Sequence, residues 1–287
     1  MLKTSPLPKG YWPLLFVSFL SERQLRDLEE EKISGLDLCG NGIVVVPGVF
    51  SVFRSGRKNL FKTSAPIKNI YCKNSSMVGR AFLTCSEYET VQDVCAEINK
   101  RNPLVASRVK KAMSLSTVSK ALKTLAEELI ILREDNIRLL QPDELLKKLV
   151  DNCAPPKIKG RIRLKISEEM GAIRDILNQQ SREIGIPLVA TGQSSVGQYA
   201  VMQRGDLISV YCPRMEMLLE KISGGQSDRF PNLELLETED ETVYFDARQE
   251  EDFWWASPVQ VYLELMSGDK RDQETAEQVK KFIIKNI

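Results

Sequence analysis

The sequence predicts an α+β protein in which a central winged helix-turn-helix, residues 81–150, is flanked by an N-terminal α/β segment, 1–80, and a C-terminal α/β segment, 157–287. Three observations predict it. The middle of the chain carries short segments with apolar residues at helical spacing, followed by a polar-tipped hairpin. Both outer segments mix helical patterns with β-branched runs and turn residues. Ala154-Pro155-Pro156 marks a linker behind the central segment, because proline ends regular structure. A chain of 287 residues, 43% hydrophobic and 28% charged, holds two or three domains with cores of normal size.

The first apolar stretch, Tyr11-Trp-Pro-Leu-Leu-Phe-Val-Ser-Phe-Leu20, is too short to span a bilayer, is interrupted by Pro13 and leads into no small-residue cleavage site. It reads as a buried strand before a helix, 22–32, which Ser21 caps. From Gly35 to Arg54 the pattern is a strand, a Gly-Asn-Gly turn, a β-branched run, a Pro-Gly turn and a further alternating strand. Asn-Gly supplies the positive φ angles that a tight hairpin needs. Residues 55–78, rich in Lys, Asn and Ser, read as loop or hinge.

In the central segment, Thr90 to Asn99 forms a short amphipathic helix with Val91, Val94, Cys95 and Ile98 at helical spacing, and Asn102-Pro103 breaks it. Leu104 to Met113 makes a second helix. Ser114-Leu115-Ser116 is the turn, with Leu115 as its plug, and Thr117 to Leu129 is a longer helix. Val118, Leu122, Leu125 and Leu129 form its apolar stripe. Ile130 to Leu140 supplies two short strands around a Glu-Asp-Asn tip, the wing.

Beyond the linker, helices are expected at Glu168–Gln180, near Ser194–Ala200 and at Arg214–Ile222, and a strand at Leu207–Tyr211. Strands at Leu233–Glu237 and Thr242–Phe245 follow, then helices at Pro258–Met266 and Gln273–Ile284. Phe253-Trp-Trp255, Val259, Tyr262, Leu263 and Leu265 read as a packed hinge and core helix. No internal repeat or low-complexity tract interrupts the chain.

Charge is unevenly distributed. From Asn99 to Ala126 there are seven cations (Lys100, Arg101, Arg108, Lys110, Lys111, Lys120, Lys123) and no carboxylate. From Asn232 to Phe253 the sign reverses: Glu234, Glu237, Glu239, Asp240, Glu241, Asp246, Glu250, Glu251 and Asp252, with Asp228 just upstream, stand against Arg248. Such local asymmetry speaks of partners in a way that the net charge of +1 does not. The chain has no histidine, so it has no residue for imidazole acid–base chemistry, Ser-His-Asp or Cys-His pairs, or His-ligated zinc. Its six cysteines are scattered without a C-x-x-C pair, which argues against a zinc site and for free thiols in a reducing cytoplasm.

A helix-turn-helix sets its second helix in the DNA major groove and lays the first across the backbone. Ser114, Ser116, Thr117 and Ser119 cluster at the start of the long helix, where hydroxyls reach phosphates or bases, and Ser116 is its natural N-cap. Lys120 and Lys123 fall opposite the Val118–Leu122–Leu125 stripe, and Arg108, Lys110 and Lys111 on the preceding helix are placed for phosphate contact. A basic helix is also an ordinary solvated face. The agreement of helix spacing, turn hydrophobe, hairpin and acid-free stretch favours double-stranded DNA as the partner. The alternative is a non-catalytic interaction module that binds a protein through the winged helix and the acidic C-terminal segment.

Three stretches carry a family resemblance: Gly35-Leu-Asp-Leu-Cys-Gly-Asn-Gly, Leu115-Ser-Thr-Val-Ser-Lys-Ala-Leu-Lys-Thr-Leu, and Ser257-Pro-Val-Gln-Val-Tyr-Leu-Glu-Leu with the following Gly-Asp-Lys-Arg-Asp-Gln-Glu-Thr-Ala-Glu. In order and spacing they resemble the AbiEi family, the antitoxin regulators of type IV toxin–antitoxin systems. The resemblance implies a cytoplasmic repressor of its own operon, paired with a nucleotidyltransferase-type toxin in phage defence. The antitoxin role would lie in the C-terminal part and need no stable complex with the toxin.

Two stretches invite an enzymatic reading. Asp37 before a hairpin resembles a degenerate metal-dependent nuclease core, but the next strand, Phe50-Ser-Val-Phe-Arg54, offers no second carboxylate. A structural role for Asp37 and Asn41 in the turn is the stronger reading. Thr191-Gly-Gln-Ser-Ser-Val-Gly-Gln-Tyr199 with Asp206 resembles the opening of a nucleotidyltransferase-like fold, yet Leu207-Ile-Ser-Val-Tyr lacks the paired acids that hold magnesium. Were the C-terminal segment of that fold, it would read as a disarmed copy. Neither an enzyme nor a cofactor is expected.

Overall fold

A computed structural model describes residues 10–60, 67–101, 112–201, 206–222 and 224–287. The chain divides into two compact units, Met1–Pro66 and Ile67–Ile287, and both mix helices with sheet. Among the described residues no helix is long and apolar enough to cross a membrane.

In the first unit β1 (Leu14–Val17), β2 (Ser34–Asp37), β3 (Gly42–Val46) and β4 (Phe50–Arg54) form one sheet in chain order. β1 and β2 are parallel, joined by helix α1 (Glu22–Glu30), and the later pairs are antiparallel. Ser21 caps α1 in a reciprocal box with Gln24, which satisfies two amides that no helical carbonyl reaches. α1 lays Leu25 and Leu28 over Leu20, Ile43 and Val45. A single helix covers a single face. Alternation along β1 therefore half-buries Leu15 and Val17 and leaves Leu14 and Phe16 57% and 62% exposed, which corrects the expected buried strand. β4, at the edge of the sheet, contributes nothing to the core under α1 and is exposed on both faces.

The turn between β2 and β3 is held by Asp37. Its carboxylate accepts hydrogen bonds from the N–H groups of Leu20 (2.9 Å), Cys39 (2.8 Å) and Asn41 (2.7 Å) and from Asn41 Nδ2 (2.8 Å). Asn41 Oδ1 in turn accepts from the Arg57 N–H at 2.8 Å. Gly40 takes φ +90°, which a side chain would strain. Burial alone raises the Asp37 carboxyl, but the Asn41 amide and the three backbone N–H groups hold it below its ordinary value. The acid thus stabilises the unit above the ordinary carboxylate pKa of about 3.9, and that contribution is lost as pH falls through the lower folded value. Asp37→Asn is expected to cost about 1–3 kcal/mol at neutral pH, with urea midpoints of variant and parent converging in acid.

The second unit is built on a seven-stranded mixed sheet, ordered β11-β8-β12-β10-β9-β14-β13. Its strands are β8 (Gly160–Lys165), β9 (Val189–Ala190), β10 (Ile208–Cys212), β11 (Gly225–Gln226), β12 (Leu233–Glu237), β13 (Arg248–Glu250) and β14 (Phe253–Trp255). Successive residues enter different cores: Ala190, Val210 and Leu235 pack under Ile173, Leu177 and Leu218, whereas Val189, Tyr211 and Leu236 pack with Val259, Leu263 and Val279. That second core continues without a break into residues 70–149, through Phe82, Ile98, Leu122, Ile131 and Leu146. Composition placed segment boundaries at 80 and at Ala154-Pro155-Pro156; compactness divides the chain between Pro66 and Ile67.

Two expectations are corrected here. Residues 76–78, read as loop, begin a helix, α2 (Ser76–Phe82), in which every residue is buried. A helix buried on all sides has no polar face and so no amphipathic period. The expected strand at Thr242–Phe245 is a 3-10 turn, Glu241–Tyr244, because the Asp240 side chain accepts from the Thr242 N–H (3.0 Å) and caps it.

Candidate nucleic-acid interface

Between Thr90 and Leu140 the described residues form two helices and a hairpin. α3 (Val91–Lys100) is opened by a Thr90/Asp93 capping box. The chain returns to its end at Met113, whose N–H donates to Asn99 Oδ1 (2.9 Å) and whose carbonyl accepts from Cys95 Sγ (3.2 Å). α4 (Leu115–Glu127) follows at once. The second expected helix, Leu104–Met113, falls almost wholly outside the described residues, and its end, 112–113, is not helical. Arg108, Lys110 and Lys111 lie outside the described residues.

The cap of α4 is Ser114, not Ser116. Its Oγ accepts from the Thr117 N–H (3.3 Å) and lies 2.9 Å from Thr117 Oγ1. The helix starts two positions before the sequence reading, since Ser114 reaches three residues on just as Ser116 would. Leu115, expected to plug the turn, is 48% exposed at the first helical position, beyond the packed end of the stripe. Ser114→Ala should cost about 1 kcal/mol in urea denaturation, and Ser116→Ala no more than about 0.5 kcal/mol.

Val118, Ala121, Leu122 and Leu125 are buried to 1% exposure or less and seat α4 on the core. On the opposite side Ser116, Ser119, Lys120 and Lys123 recur at i, i+3, i+4 and i+7, forming one outward stripe. Ser116, Ser119 and Lys123 are exposed, and Lys120 is half-buried. Lys123 Nζ lies 3.8 Å from Glu127 Oε1, but both side chains are well exposed, so the pair is weak and leaves the ammonium open to a phosphate. At the far end, burial raises the Glu128 carboxyl, while the Tyr71 hydroxyl and Lys148 Nζ (2.9 Å) bind it and bring it below its ordinary value.

The hairpin, β6 (Ile131–Arg133) and β7 (Ile137–Leu139), is widened to three strands by β5 (Glu87–Tyr88), paired with β7. Its tip carries Glu134 and Asp135, which repel phosphate, while Arg133 and Arg138 stand exposed on the strands.

Arg101 does not contribute to a basic surface. Its guanidinium contacts Asp246 Oδ1 at 2.5 Å and Glu97 Oε1 at 2.7 Å, fixing the end of α3 to the C-terminal part of the unit. Burial raises the Asp246 carboxyl, against the pull of Arg101. One basic element escaped the sequence reading. Lys157, Lys159, Arg161, Arg163 and Lys165 alternate with Ile158, Gly160, Ile162 and Leu164, a period-2 signal that places all five cations on one side of β8 and its approach. Acids from the segment after Asn232 pair with three of them: Glu234 binds Arg163 (2.9 Å) and lies 3.8 Å from Arg161, and Glu239 binds Lys159 (2.8 Å).

The serines of Thr191–Tyr199 stitch backbone together. Ser194 Oγ accepts from the Ser209 N–H (2.8 Å), and Ser195 Oγ donates to the Ala190 carbonyl (2.8 Å). β10 carries no carboxylate, and Ser209 Oγ donates to Glu234, already held by Arg163. Comparison with protein-family models, with curated proteins and with solved structures finds nothing that this chain matches.

Proposed function

We propose that this chain is a DNA-binding transcriptional repressor whose central segment works as a winged helix-turn-helix, with α4 in the major groove. As the AbiEi resemblance implies, it would act as the antitoxin of a type IV system, beside a nucleotidyltransferase-type toxin, without chemistry of its own. The observation that carries this reading is the Ser116–Ser119–Lys120–Lys123 stripe, turned outward by a fully buried stripe opposite it. The hydroxyls suit base edges or phosphates, and the ammonium groups suit phosphates.

The interaction-module reading loses ground on one point. Glu234 and Asp246 of the acidic segment, each side chain 8% exposed, are taken up by Arg163 and Arg101 within the chain. The test is a salt titration of binding to a duplex from upstream of the reading frame. Log affinity should fall linearly with log salt at a slope of about −3 or steeper, since each phosphate contact contributes about −0.9. A slope near zero would put the interaction module ahead.

A further inference from the structure

Arg80 of α2 is 1% exposed, and no carboxylate among the described residues lies within ion-pair distance of it. Its Nη1 donates to the Thr242 carbonyl (3.1 Å) and to Gln260 Oε1 (2.8 Å), and Nη2 reaches Cys153 Sγ at 3.6 Å. All three partners are neutral, and Nε has none. A guanidinium stays protonated at any working pH. Taking it out of water costs several kcal/mol per ion unless a matching anion and full hydrogen bonding offset the loss. The nearest compensation is indirect: Gln260 Nε2 donates to Glu264 Oε1 (2.7 Å), so an amide stands between the two charges. Tyr211 Oη also donates to that oxygen, at 2.9 Å.

Arg80 lines a cavity of about 190 Å³. Pro155, Pro156, Ile158, Leu236 and Leu263 supply apolar walls, and Ser267 stands exposed at its rim. At about 30 Å³ per water the space matches roughly six waters, or a ligand of about six to nine non-hydrogen atoms. Glu264 in the wall disfavours a second negative charge on the occupant.

We propose that this cavity binds a small monocarboxylate, its carboxylate on the Arg80 guanidinium and its short apolar body between the proline linker and Leu236 and Leu263. The planar fork of arginine matches a carboxylate, and the ligand supplies the acceptor that Nε lacks. The inference stands apart from the DNA-binding reading.

The test is calorimetric titration of the full chain with butyrate and benzoate, against butyramide and inorganic phosphate. One saturable site for the carboxylates is expected, with butyramide at least tenfold weaker. Ser267→Phe, which fills the rim and leaves the core alone, should weaken butyrate at least tenfold with the melting temperature unchanged. Arg80→Met should abolish binding; if that variant does not fold, Ser267→Phe decides. Equal binding of butyrate and butyramide, no saturable carboxylate binding, unchanged binding by Ser267→Phe, or a preference for phosphate would each overturn the proposal.

Discussion

Reversing both lysines of the outward stripe, Lys120→Glu with Lys123→Glu, is expected to abolish retardation of operator DNA at about 0.1 M salt. A charged contact contributes about 1.5 kcal/mol or more, so losing two gives about 3 kcal/mol, a factor of roughly 100 or more in affinity. Repulsion from the new carboxylates adds to it. The salt dependence should also flatten by about two units, one for each phosphate no longer neutralised. Folding should hardly change. Lys123 is exposed and pairs only weakly with Glu127, and a like charge four residues away costs a few tenths of a kcal/mol. Circular dichroism and thermal melting check that point. Retardation at parental affinity by a folded double variant would remove α4 from the interface.

The largest loss of stability is expected from Arg101→Met. The Asp246 side chain is 8% exposed, its Oδ1 meets the Arg101 guanidinium, and its Oδ2 has no partner. Removing the arginine leaves a buried carboxylate uncompensated, a change that costs about 3–5 kcal/mol. Burial already raises the Asp246 carboxyl, and without Arg101 only the more weakly acting Arg248 guanidinium opposes that rise. A carboxyl with a raised folded value stabilises the protein when protonated and loses that contribution as pH rises through it. The Arg101→Met defect should therefore be largest at neutral pH and shrink in acid. Arg101→Met with Asp246→Asn should recover part of the loss, since a neutral amide leaves no stranded charge and tolerates the left-handed backbone at φ 55°. Urea denaturation reads all three; a deficit below about 1 kcal/mol in the single variant would show that the pair is not what joins α3 to the C-terminal part.

Much of the local structure was legible because its causes are local. Ser21 with Gln24, Thr90 before Val91, and Ser257-Pro258 each announce a helix start, and the helices begin there. The runs at 42–46, 50–54 and 233–237 became the strands expected of them. α5 (Pro142–Asn152) carried the same kind of signal, proline at the first position with Asp143 and Glu144 in the first turn, and went unread beside the proline linker. The strand β8 likewise showed its alternation openly, but alternating cations drew attention as charge and not as period.

The sequence by itself determined the α and β character of most of these segments, the Val118–Leu122–Leu125 stripe of α4 (Leu129, counted with it, lies past the helix end and is 65% exposed) and, through the absence of histidine, the side-chain chemistry open to the chain. Only the tertiary structure decided which apolar faces are covered and which charges are free. Hydrophobic spacing reports that Leu14 and Phe16 share one face of β1, not that α1 lies over the other. A count of cations along the chain treats Arg101 and Lys123 alike, yet Asp246, 145 residues away in sequence, neutralises the first, and only solvent and a weak neighbour surround the second. Electrostatic attraction acts through space and not along the sequence, so the free charge on α4 could be fixed only once distant segments had packed.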